Sequence, residues 1–185
     1  MTSSLATKRE EKLRKTALRL LLTCGVLVLA SGWAHADASS LTISVSATSV
    51  TFTLIPGAAL NVGAPPLSIT STYSVNPGHT ASITLYAFFS SSTAALKHTD
   101  PTNTVDIPSA AVQGNPNGTG YIAFTGTSPF GAAGTAMTVW STMISGQNKA
   151  QVRTDTLTLN INLSTQPQLP ADTYSGTLFL QAQAI

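Results

Sequence analysis

Thr154-Asp155-Thr156-Leu157-Thr158-Leu159-Asn160-Ile161-Asn162-Leu163 is the stretch that decides the fold class of this chain. From position 157 to 163 every second residue is Leu or Ile, and Thr or Asn fills the places between. Side chains of an extended strand point alternately to opposite faces, so this pattern marks a strand with one buried and one wet face. The last segment repeats it. Leu178, Leu180, Ala182 and Ala184 alternate with Thr177, Gln181 and Gln183, while Phe179 and Ile185 interrupt the polar face.

Outward from these two, further strands are expected at 41–45, 50–54, 67–75, 80–89, 120–124 and 136–144, with short edge-like pieces at 104–107 and 110–113. Apolar parity changes between the first two: Leu41, Ile43 and Val45 are odd, Val50, Phe52 and Leu54 even. A slip of one residue turns a strand over. Ala47-Thr48-Ser49 is therefore expected to be a tight turn, or a bulge where the chain crosses between sheets. Turn chemistry separates the strands at Ile55-Pro56-Gly57, Asn76-Pro77-Gly78, Asn115-Pro116-Asn117-Gly118, Ser145-Gly146-Gln147-Asn148 and 166–172. No long helical period follows Ala36. Seven to nine short antiparallel strands predict an all-β, immunoglobulin-like β-sandwich, with a jelly roll as the alternative. An outer-membrane barrel would need about eight or more strands of ~9–11 residues between aromatic girdles, which this pattern does not supply.

The N-terminus reads differently. Lys8, Arg9, Lys12, Arg14, Lys15 and Arg19 form a basic region, residues 20–30 an almost unbroken apolar run, and Ala34-His35-Ala36 a small-x-small triplet. That order is the signature of a secretory signal peptide. The run is shorter than the ~20 residues that span a bilayer. No Arg-Arg pair precedes it, which argues against twin-arginine export. Lipidation at Cys24 is disfavoured by Thr23 before it and by the apolar residues after it. Residues 1–36 are expected to be removed between Ala36 and Asp37, leaving 37–185 as one β-sandwich domain, secreted to the periplasm, cell surface or medium. That domain would contain no cysteine and hence no disulfide.

Cleavage also changes the charge. The whole chain carries +2, but residues 1–36 hold six Lys/Arg against two Glu, a net of +4. What remains is Lys97, Lys149 and Arg153 against Asp37, Asp100, Asp106, Asp155 and Asp172, a net of −2. There is no basic patch for nucleic acid, and no membrane partner is expected after cleavage. Eight charged residues in 149 lie far below the ~25% of an average soluble protein. A low-charge Thr/Ser/Asn surface also weakens the usual protection against edge-to-edge strand pairing.

Groups able to do chemistry are few. The processed chain has His79, His98 and five aspartates, with no glutamate. A glycosidase pair could be drawn from Asp100, Asp106, Asp155 and Asp172, but each has a structural explanation as well. Asp100 precedes Pro101, Asp172 sits in the turn before the last strand, and Asp155 neighbours Arg153. No Ser lies in G-x-S-x-G, and His79 follows a Pro-Gly turn. No catalytic residue and no cofactor are assigned. His98, Asp100 and Asp106 are a loop candidate for a metal ion, though their spacing fits no EF-hand. Trp140, with Tyr73, Tyr86, Tyr121 and Tyr174, is the candidate platform for a sugar ring. A lone Trp in a strand also serves as core packing.

The tail Leu169-Pro170-Ala171-Asp172-Thr173-Tyr174-Ser175-Gly176-Thr177-Leu178-Phe179-Leu180 resembles the last hairpin of bacterial spore-coat-U-like and fimbrial, pilin-like secreted domains. There a Pro-Ala-Gly-x-Tyr-like turn introduces the closing strand; Asp172 stands at the glycine position here. The resemblance implies a β-sandwich that assembles by adding a strand from a neighbour. The function expected first is accordingly a secreted, non-enzymatic structural or adhesive cell-surface protein of fimbria-like kind. Its partners would be itself or other β-domains, with residues 37–47 as donor strand. A carbohydrate-binding module that takes surface glycans is the alternative, and a secreted hydrolase the third reading.

Overall fold

The computed structural model describes residues 19–26, 39–78, 80–127 and 136–185, the first of these as backbone alone. His79 and the expected cleavage point at Ala36 and Asp37 lie outside them. Eleven strands form among the described residues. They are β1 (Arg19–Val26), β2 (Ser40–Val45), β3 (Ser49–Thr53), β4 (Leu67–Ser74), β5 (Ser82–Phe89), β6 (Lys97–His98), β7 (Val112–Pro116), β8 (Ile122–Ala123), β9 (Met137–Met143), β10 (Ala150–Ile161) and β11 (Tyr174–Ala184). One sheet has the order β3-β1-β11-β5-β9, with β6 also paired to β11; the other has the order β2-β4-β10-β7-β8. The chain is all-β and built from two sheets rather than a closed barrel. Every pairing is antiparallel except β1 with β11, which is parallel.

The alternation that opened the sequence reading places β10 at the centre of its sheet, between β4 and β7. Leu157, Leu159 and Ile161 are buried, Thr158 between them is half-buried, and Thr156 just before them is exposed. Opposite them lie Ile83, Leu85, Ala87 and Phe89 of β5 and Leu178 and Leu180 of β11, all buried. Each Leu, Ile or Phe so buried stabilises the fold by roughly 1.5–3 kcal/mol. The two sheets share one continuous core.

The strand number exceeds the expected seven to nine. β6 and β8 are two-residue pieces, and β1 comes from the run read as a leader. Residues 110–113, expected at an edge, feed β7 instead, which lies inside its sheet because β8 covers its outer side. Residues 104–107 form no strand; Ile107 makes only a bridge to Leu96. The parity change resolves as a crossing, with β2 on the edge of one sheet and β3 on the edge of the other.

One outward position breaks the pattern. Asn160 is buried although its neighbours in the alternation face water, because the chain at 55–64 folds over it. Its amide oxygen accepts from the Asn61 N–H at 2.7 Å, and its NH2 donates to Ala59 O and Gln113 Oε1. Asn61 in turn donates to Ala58 O and Ile161 O and accepts from the Ile55 N–H. The segment then runs beside β10, with Gly63 N–H donating to Leu159 O and Ile161 N–H to Asn61 O. Ala64 exchanges two backbone bonds with Thr51 of β3, each 2.9 Å. A Cβ on Gly63 would press into Val50 and Phe52, so only glycine lets the segment lie this close. β3 is thereby tied to the opposite sheet along the edge that does not face β1.

Asn160→Ala strands the buried Asn61 N–H and takes a partner from the half-buried Gln113, and a buried group left unpaired costs about 1–3 kcal/mol. A urea melt should show a lower midpoint with an unchanged slope. A midpoint equal to wild type would show that the Asn61–Asn160 pair does not hold the 55–64 segment.

Candidate functional site

His98, Asp100, Asp106 and Asp172 are gathered around one turn, in two separate sets. His98 Nδ1 lies 2.7 Å from Asp106 Oδ1, which also accepts the His98 backbone N–H. Asp100 instead closes its own turn, accepting from the Thr102 N–H at 2.8 Å and the Thr102 hydroxyl at 2.7 Å. These bonds, led by the Thr102 hydroxyl, hold its carboxyl below the usual value. The three loop candidates thus form a pair and a cap rather than one ligand set. No group of three or more His, Cys, Asp or Glu that could hold a metal ion occurs among the described residues.

Asp172 is the hub the sequence did not reveal. Its carboxylate accepts from the Thr99 hydroxyl, the Asp100 N–H, the Asn103 NH2 and the Thr173 N–H. Asn103 also donates to the Tyr174 hydroxyl, which donates to Pro170 O at 3.0 Å. One carboxylate so fastens the 97–106 loop to the turn that starts β11. Desolvation pushes its pKa up, but the four donors outweigh that and hold it down to about 2. The glycine commoner at this position in the resembled hairpins could not accept any of these bonds.

Trp140 points inward. It is 4% exposed, stacks on Tyr73 at 6.2 Å, and has the Arg153 guanidinium 5.1 Å from its ring centroid. A sugar ring would have to displace these neighbours to reach it. Arg153 is held there by the buried Asp155, whose carboxylate also accepts from Asn117 Nδ2 at 2.8 Å. Asp155 is therefore an internal counter-ion, apart from the Asp172 turn.

The arrangement most open to a partner is made by backbone. β3 and β11 do not pair with each other; β1 lies between them. β1 runs antiparallel to β3 from Arg19↔Thr53 to Thr23↔Ser49, and parallel to β11 from Leu21↔Ser175 to Val26↔Leu180. The register sets Leu20 opposite Phe52, Leu22 opposite Val50, Cys24 opposite Leu178 and Val26 opposite Leu180. Those four partners are each 1% exposed or less. β1 lies within residues 1–36, the segment expected to be a signal peptide. Taking it away leaves a slot one strand wide with an apolar floor and a row of backbone donors and acceptors on each wall.

The walls are fixed independently of β1. β3 is tied to Ala64 on its other edge, and β11 pairs with β5 along its length and with β6 at its start. Gly176 permits the second contact, because a Cβ there would collide with the Ala95 carbonyl oxygen. The almost unbroken apolar run carries no strand signal in the sequence, since periodicity is silent where nearly every residue is apolar.

A comparison with protein-family models finds no match, and a comparison with curated proteins finds no significant relative.

Acid tests the Asp172 hub. Its folded-state pKa is depressed, so its stabilising effect is present above the unfolded value of ~3.9 and is lost as pH falls toward about 2. The melting temperature of wild type should drop across that window more than that of Asp172→Asn. Parallel pH profiles for the two proteins would remove Asp172 from this role.

Proposed function

We propose that this chain is an exported structural subunit of a cell-surface assembly, an immunoglobulin-like β-sandwich one strand short that is completed by a strand from a neighbour. The observation that carries this reading is the place of β1. It fills the gap between β3 and β11, yet it lies in the segment read as a signal peptide.

Strand order supports it. Immunoglobulin constant-type domains place strands A, B, E and D in one sheet and C, F and G in the other. Taking β2, β4, β5, β7, β10 and β11 as A, B, C, D, E and F reproduces A-B-E-D in one sheet and F beside C in the other. The position of G, on the free side of F, is where β1 lies. The Tyr174 hydroxyl bond to Pro170 O adds the tyrosine corner that such domains carry at the start of strand F. The low surface charge favours strand addition, because fewer charges oppose pairing at an edge.

Residues 37–47, the expected donor, supply β2 at home, where it pairs with β4 alone. Their Leu41, Ile43, Val45 and Ala47 offer the alternating apolar side chains that the slot floor asks for. Donation would take β2 off the edge of its own sheet, and the partner is a second copy of this chain making the same exchange.

Sedimentation of residues 37–185 should show oligomers that grow with concentration and disappear when 37–47 is deleted. A domain that stays strictly monomeric at high concentration, and melts at the temperature of the full chain, would defeat the reading.

A further inference from the structure

We propose that residues 19–26 are an intramolecular plug: until the leader is removed the chain fills its own strand slot and cannot accept a strand from a neighbour. This rests on the slot being the assembly site, and it assigns that site a control step.

The pairing is extensive. β1 meets β11 at six positions and β3 at five, with Leu20, Leu22, Cys24 and Val26 in register with Phe52, Val50, Leu178 and Leu180. One apolar run so serves twice, once as the core of an export signal and once as a strand.

The connection to the rest of the chain makes the plug strong. Thirteen residues, 27–39, join β1 to β2. Thirteen extended residues reach ~43–47 Å, well beyond the ~10 Å between packed sheets. A short tether of this kind gives an effective concentration in the mM range. Against a neighbour's strand of equal affinity at μM concentration, the tethered strand is favoured by about a thousandfold. Cleavage between Ala36 and Asp37 falls inside this connection and removes the whole of that advantage. β1 is then held by pairing alone, and its long contact, with β11, is parallel, the weaker arrangement per residue.

The test uses the full chain made without export, the double variant Leu20→Asp/Leu22→Asp in the same chain, and a full chain carrying an inserted protease site at 30–36, cut after folding. Two readouts are taken: amide exchange at Ser49–Thr53 and 175–180, and binding of a labelled synthetic peptide of residues 37–47. The uncut chain should be protected at both segments and exclude the peptide. The double variant should exchange roughly tenfold or more faster there, with β4 and β10 unchanged, and take up the peptide; the cut chain should do so as well. An uncut chain that binds the peptide as readily as the cut one overturns the plug and leaves the slot standing. A cut chain that releases β1, keeps Ser49–Thr53 protected and binds no peptide overturns the slot itself, and the plug with it.

Discussion

Two strands separated by one strand's width cannot both satisfy their inner backbone groups without a third between them. Neighbouring strands lie ~4.7–4.9 Å apart, so β3 and β11 stand too far apart to bond directly. They are too close to the core to be left to water: Val50, Phe52, Leu178 and Leu180 lie beneath. Everything distinctive in this sandwich follows from that spacing. A rigid structure elsewhere keeps the two walls from collapsing together, and whichever strand enters gains backbone bonds on both sides and an apolar floor at once.

The rigidity has traceable sources. β3 would be a loose ribbon if β1 were its only neighbour. Instead Thr51 and Ala64 exchange bonds, and Asn61, Gly63 and Asn160 carry that attachment to β10, the strand whose alternation is the most regular in the chain. At the other wall, Asp172 and Tyr174 fix the start of β11 to the 97–106 loop. Asp172, one of the polar residues with candidate chemistry, thus also positions strands. The Arg153–Asp155 pair, packed on Trp140, does the same at the far end of β10.

How much of this the sequence revealed depends on periodicity. β10, β11, β4 and β5 are legible because sustained alternation has no other simple explanation. The crossing between β2 and β3 was legible as a change of parity, though not which of two devices produced it. β1 is hidden because a nearly all-apolar run carries no period, and because its context speaks for export. The Asp172 hub was hidden for another reason. Its four donors come from residues 99, 100, 103 and 173, and only folding brings the first three beside it. Asn160 read as a wet position because the covering segment lies about a hundred residues away in sequence. By sequence Trp140 fits both a platform and a packing role; its place against Tyr73 and Arg153 is a packing position.

The uncharged floor of the slot has a consequence for the medium in which this protein works. Dissolved ions screen charges within a Debye length, about 8 Å at physiological ionic strength. Val50, Phe52, Leu178 and Leu180 carry none, and the walls offer only backbone groups. A strand seated there would be held by forces that fresh water or brine hardly touches. Salinity would leave its grip almost unaltered, where a joint made from ion pairs would loosen.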